Sequence, residues 1–237
     1  MKKAIPYLMS MLLVLPHILS APASAADSEK DEDRLRNSGI VLKEILDVPD
    51  DVPHDLLDKA DCVVVFPSVL KAAFIVGGSY GRGAMSCRRG ENFRGPWGAP
   101  TMMALEGGSF GLQLGGQATD YVLLVMNPRG ADSILSSKVK LGAGLSAAAG
   151  PKGREAIAAT DAALRAEVLS YSRSRGLFAG AYLDGSTLRP DNDANARLYH
   201  RKIGAKDIAL EGKVTPTPAA QELLSQLNKR SPKNLSS

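Results

Sequence analysis

Two stretches of this chain, AAFIVGGSYGRGAMSCRR (72–89) and APTMMALEGGSFGLQLGGQATDYVLLVMN (99–127), have β-like side chains yet are studded with glycine. Glycine weakens a strand, and it marks places where a strand bulges, bends sharply or meets another backbone closely. The preceding CVVVFP (62–67) is rich in β-branched residues and reads as a strand. GENFRGPWG (90–98) reads as a loop. The pentapeptide GGSYG (77–81) recurs as GGSFG (107–111), which suggests matching bends in neighbouring strands. Without a third copy it does not define a solenoid. The pattern predicts an α+β fold: a strongly curved, barrel-like antiparallel sheet flanked by short helices.

Elsewhere the periodicity is plainer. Residues 28–46 form a helical pattern with Leu35, Ile40, Leu42, Ile45 and Leu46 on the apolar side. A short helix is expected at 53–60, started by Pro53, and another at 127–137. KVKLGAGLSAAAG (138–150) and ALRAEVLSYSRSR (163–175) alternate as strands do, with 151–161 a loop between them. GLFAGAYLDG (176–185) reads as a buried strand. Helices follow at 191–202, with an Asp or Asn cap, and at about 216–228, and SPKNLSS reads as a loose tail.

The first residues read as a secretory signal peptide: Lys2 and Lys3, an apolar run to Leu19, and Ala23-Ser24-Ala25 as cleavage site. Cleavage after Ala25 would leave about 212 residues, enough for one sizeable domain. The expected layout is signal peptide (1–25), acidic helical leader packed on the domain (26–61), core (62–210), and C-terminal helix with its tail (211–237). The expected location is periplasmic or secreted. No cysteine lies near the cleavage site, so a lipoprotein is not expected. The leader carries net charge −7 and residues 62–237 carry +9, a balance that favours anionic partners of the body or simply keeps it soluble. In an oxidising compartment Cys62 and Cys87 can form one disulfide; the alternative is two separate buried thiols.

Both pentapeptides match the G-x-S-x-G nucleophile elbow, and Ser79 or Ser109 with His200 would give a hydrolase order. That elbow needs a helix immediately after the serine, whereas strand-like sequence follows here. His54 and His200 show no zinc spacing with the cysteines, so no metal is expected. No phosphate-binding loop or dinucleotide fingerprint occurs, and no cofactor is expected. Aromatics are too scattered among basic residues to suggest nucleic acid.

Several long segments, in order, resemble the SYLF family, lipid-binding domains related to the yeast actin-patch regulators. They are VVVFPSVLKAAFIVGGSYGRG (63–83), GPWGAPTMMALEGGSFGLQLGGQATDYVLLVMN (95–127), SSKVKLGAGLSAAAGPKGR (136–154), SYSRSRGLFAGAYLDGS (170–186) and DNDANARLYH (191–200). The resemblance implies a non-enzymatic module that binds anionic lipid. The signal peptide and acidic leader depart from eukaryotic members, so actin binding is the least transferable property.

The expected function is thus an envelope module whose basic surface meets phospholipid head groups. Candidate contacts are Lys71, Arg82, Lys138, Lys140, Arg154, Arg173 and Arg175, arginine suiting phosphate by its planar fork. Arg173 and Arg175 read equally as solvated strand residues or partners of nearby carboxylates. The alternatives are an envelope structural or protein-interaction domain, with another envelope protein as partner, and, remotely, a serine hydrolase.

Overall fold

The computed structural model describes residues 23–48, 52–73, 76–110, 115–151, 165–174 and 176–236. Helix α1 (Ala23–Leu46) and the short α2 (His54–Lys59) precede four long strands. These are β1 (Cys62–Ala73), β2 (Val76–Cys87), β3 (Thr101–Phe110) and β4 (Gly115–Val125). Helix α3 (Pro128–Ser136) leads to β5 (Val139–Lys140), β6 (Ala147–Ala149), β7 (Val168–Ser174), β8 (Leu177–Gly180) and β9 (Thr187–Pro190). Helices α4 (Asn192–Leu198), α5 (Ala205–Ala209) and α6 (Gln221–Arg230) follow. The strands form one sheet in the order β5-β9-β3-β2-β1-β4-β7-β6, with β8 also beside β7. The fold is α+β, and the sheet curls into a half-barrel. One strand pair, β6 with β7, is parallel and makes the sheet mixed.

The curl has a local cause in the central strand. The register of β1 slips against β2 between Val65 and Leu70, and against β4 between Phe66 and Val69. Pro67 has no N–H to give to the ladder, and Ser68 sits at φ 55°. Asp120 of β4 takes up the free Ser68 N–H, at 2.9 Å. A bulge of this kind bends its strand and increases the twist. CVVVFP therefore does not end at its proline; the strand continues to Ala73.

Both faces of the sheet are covered, which is why VVVF is apolar without alternation. Val63, Val65, Met102, Val122, Leu124 and Tyr171 face one core with Leu35, Leu42 and Ile45 of α1 and Leu223 and Leu227 of α6. Cys62, Val64, Phe66, Met103, Leu123 and Val125 face a second core with Ala131, Ile134 and Leu135 of α3 and Ala205 and Ala209 of α5. Buried residues of α1 recur every three or four positions, at 31, 35, 38, 41, 42, 45 and 46. Ile40 falls off this stripe and is exposed. The buried Asp31 accepts from Arg34 at 2.6 Å and from Arg197 of α4 at 2.7 Å.

Two expectations are corrected. GLFAGAYLDG is not a buried strand: only Leu177–Gly180 is extended, and Leu177 and Tyr182 are exposed because β8 lies on the outer edge of β7. The C-terminal tail is irregular but not loose. Ser231 is wholly buried, and the backbone N–H of Leu235 bonds Asp58 O at 2.8 Å.

Where β2 passes the bulge, a Cβ on Gly83 would lie 1.9 Å from Val65 O, whereas a Cβ on Gly78 would meet nothing nearer than 3.8 Å. Gly83→Ala should therefore cost about 3 kcal/mol, lowering the melting temperature by about 6–12 °C. Gly78→Ala should change stability by less than about 0.5 kcal/mol in the same thermal melt.

Candidate functional site

The two pentapeptides pair with each other. Gly77 faces Ser109, Gly78 faces Gly108, and Ser79 faces Gly107 across β2 and β3. On the other side of β2, Ala72 and Ala73 of β1 lie between Gly78 and Gly77 and, on β4, Gly116 and Gly115. Small residues thus meet across four strands toward one end of the sheet, next to the pair Val76 and Phe110. A Cβ on Gly107 would lie 2.5 Å from the Ser79 hydroxyl, which would have to rotate away to admit it.

Large apolar side chains border this end and stay exposed. Leu70 and Tyr80 are direct cross-strand partners, 62% and 44% exposed. Strand β7 ends beside the middle of β4, where Arg173 pairs with Asp120, and Leu177 opens β8 opposite Ser174. Leu177 is 78% exposed. These are three of six exposed large hydrophobic residues among those described.

The basic candidates do not form one surface. Arg82 donates from Nε to the Tyr80 hydroxyl at 2.7 Å and lies 3.1 Å from Asp191, the cap of α4. Arg173 bonds Asp120 at 2.8 Å and Glu44 of α1. Both lie on the α1 side of the sheet, two residues from Ala84 and Tyr171 of that core. Lys71 projects to the opposite side, 5.4 Å from the centre of the Tyr121 ring. Lys138 lies 3.7 Å from Glu106, whose carboxyl is held below its usual range chiefly by the hydrogen bond from Arg189. Lys140 is exposed in β5 at the far edge of the sheet. Arg154 and Arg175 lie outside the described residues.

Ser79 does not stand on an elbow. β2 runs unbroken from Val76 to Cys87 through Ser79, with no turn into a helix. Ser109 lies within β3, and residues 111–114 after it are outside the described residues. His54 opens α2 and His200 follows α4, both exposed.

Cys62 and Cys87 are opposite each other on β1 and β2, joined by a disulfide with Cα atoms 4.0 Å apart. The next pair outward carries the ladder bond, Arg88 N to Asp61 O at 2.9 Å. The cysteines thus occupy a non-hydrogen-bonded position, where antiparallel strands approach most closely.

The register that joins Leu70 to Tyr80 could not be read from sequence, because the Pro67–Ser68 bulge shifts it. The signal available was an apolar residue beside a cation, Leu70-Lys71, in a glycine-rich stretch.

This geometry defines an α+β half-barrel domain with helices on both faces and a glycine-rich end. The chain belongs to the Ysc84 family, described as Las17-binding protein actin regulator, whose pattern matches residues 106–230. It is 34% identical over 213 residues to an SH3 domain-containing protein of Schizosaccharomyces pombe, covering 88% of this chain and 48% of the relative. It is 32% identical to LAS seventeen-binding protein 3 of Saccharomyces cerevisiae, covering 88% and 45%. It is also 32% identical to SH3 domain-containing YSC84-like protein 1 of Homo sapiens, covering 74% and 50%. The chain spans about half the length of these relatives.

Two measurements test the assignments above. Closing a loop of this separation, 25 residues, contributes about 3 kcal/mol in the chain-entropy model. Free-thiol titration of the unreduced protein should find none, and reduction should lower the melting temperature by about 6–12 °C. Arg173→Ala leaves the largely buried Asp120 without its cation and should destabilise by about 1–2 kcal/mol in urea titration. Lys140→Ala should cost less than about 0.5 kcal/mol.

Proposed function

We propose that this chain is a non-enzymatic binding module that docks on anionic membrane surfaces through the glycine-rich end of its sheet. The observation that carries this reading is the exposed cross-strand pair Leu70 and Tyr80 toward that end, with Lys71 next along β1 and Arg82 bonded to the Tyr80 hydroxyl. Tyrosine suits a membrane interface because its ring is apolar and its tip polar. Burying a leucine side chain contributes about 1.5–3 kcal/mol when complete. A lysine near an anionic surface adds about 1 kcal/mol. Arg82, Lys138 and Arg173 already have carboxylate partners, so their charges count for less. Binding should therefore combine insertion and charge, and salt should weaken it without abolishing it.

Export is part of the same proposal. It rests on the lysine, apolar and small-residue order of residues 2–25, and it agrees with a Cys62–Cys87 disulfide. Anionic phospholipid of an envelope is then the surface met, and actin is not a partner in this reading. A second reading has support in the names of the relatives, described as Las17-binding and LAS seventeen-binding: a protein partner could meet the same end.

Vesicle co-sedimentation separates these. The protein should bind phosphatidylglycerol vesicles with an affinity about tenfold or more above phosphatidylcholine. The double variant Leu70→Ser, Tyr80→Ser should lose about tenfold to a hundredfold, while Lys140→Ala changes little. Absence of sedimentation with either vesicle would reject the lipid reading and favour the protein partner.

A further inference from the structure

At the opposite end of the sheet, Arg88 follows β2 with its side chain wholly buried. Its guanidinium stacks 4.2 Å from the Trp97 ring centre, and Nε donates to Ala60 O at 3.3 Å. Nη2 is directed at the C-terminal segment: Ser231 O at 2.9 Å, Ser231 Oγ at 2.6 Å and Lys233 O at 3.1 Å. Trp97 Nε1 also donates to Ser231 O, at 2.9 Å. The Ser231 hydroxyl reaches Asp58 Oδ1 at 2.6 Å. Asn234 Nδ2 lies within hydrogen-bonding distance of Asp61 Oδ1 at 2.9 Å and Phe93 O at 3.1 Å.

The segment after α6 is therefore held as a bound peptide is held, by main-chain groups, the Ser231 hydroxyl and one amide side chain. The groove is lined by α2, the entry to β1 and the loop between Arg88 and Trp97. It is not filled to capacity. Nη1 of Arg88 is buried with no acceptor among the described residues. A buried donor without a partner costs about 1–3 kcal/mol, so the tail leaves part of the groove's binding capacity unused.

We propose that this groove is a peptide-recognition site, occupied here by the chain's own residues 231–236, and that the tail exchanges with the same segment supplied in trans. The inference stands independently of membrane docking, since it concerns the other end of the sheet.

Trp97 is the chain's single tryptophan and reports on the groove directly. In a chain ending at Arg230, Trp97 emission should shift to the red. The synthetic peptide SPKNLSS should reverse the shift saturably, in the micromolar-to-millimolar range. A peptide with Asn234→Ala should bind about tenfold more weakly, and a scrambled peptide should have no effect. A folded truncation that keeps full-length emission, or that ignores SPKNLSS at millimolar concentration, would overturn the proposal. Should the truncation not fold, full-length Asn234→Ala decides. Trypsin should cut it after Lys233 several-fold faster than the parent while the melting temperature of the body holds; equal cleavage rates would overturn the proposal.

Discussion

One carboxylate holds the break in the central strand closed. Asp120 accepts the Ser68 N–H that the bulge at Pro67–Ser68 leaves unpaired, and its other oxygen takes Arg173. Arg173 in turn reaches Glu44 of α1. A single side chain on β4 thereby ties together β1, β7 and the long helix. Hydrogen bonds to a charged group contribute more than neutral ones, roughly 1.5–3 kcal/mol each. Losing Asp120 would free a backbone donor and an arginine together. The bend in β1, the position of β7 and the seat of α1 are therefore one coupled choice.

The bend divides the sheet into two unlike ends. Below it, side chains fill both faces, a disulfide joins β1 to β2, and Arg88 and Trp97 clasp the C-terminal segment. Beyond it, paired glycines offer few side chains to pack, and Leu70 and Tyr80 are left to solvent. Stability within a fold follows the density of buried apolar contacts. The dense end anchors the molecule, and the sparse end has apolar surface to present.

Much of this was legible in the sequence where the cause is local. The β-branched run at 62–66, the glycine bends, the Asp191 cap and the stripe of α1 depend on near neighbours. The twin pentapeptides correctly suggested neighbouring strands. What stayed hidden depends on register and on contacts distant in sequence. Pro67 reads as a strand end unless one knows that Asp120 waits 53 residues on to satisfy the residue after it. SPKNLSS has the composition of a free tail, and it is groups distant in sequence, among them Arg88, 143 residues before Ser231, that make it otherwise. Alternation along 163–175 puts Arg173 on the face of Leu169 and Tyr171, but does not show that α1 brings Glu44 over that face.

The same distinction governs how net charge should be used. The +9 of residues 62–237 is a sum over the chain, whereas a partner meets individual side chains. Arg82 faces Asp191, Arg173 faces Asp120 and Glu44, and Lys138 and Arg189 share Glu106. A paired cation still contributes to the distant field, but at contact its carboxylate offsets it. At physiological salt that field fades over about 8 Å. Net charge can therefore steer the body toward an anionic surface without supplying the contacts that hold it there. Those contacts have to come from side chains that are both exposed and unspent, and at the glycine-rich end the large ones are apolar. In the proposed membrane docking, excess charge and exposed apolar surface would thus have separate roles: the first favours approach, and the second sets how long the molecule stays.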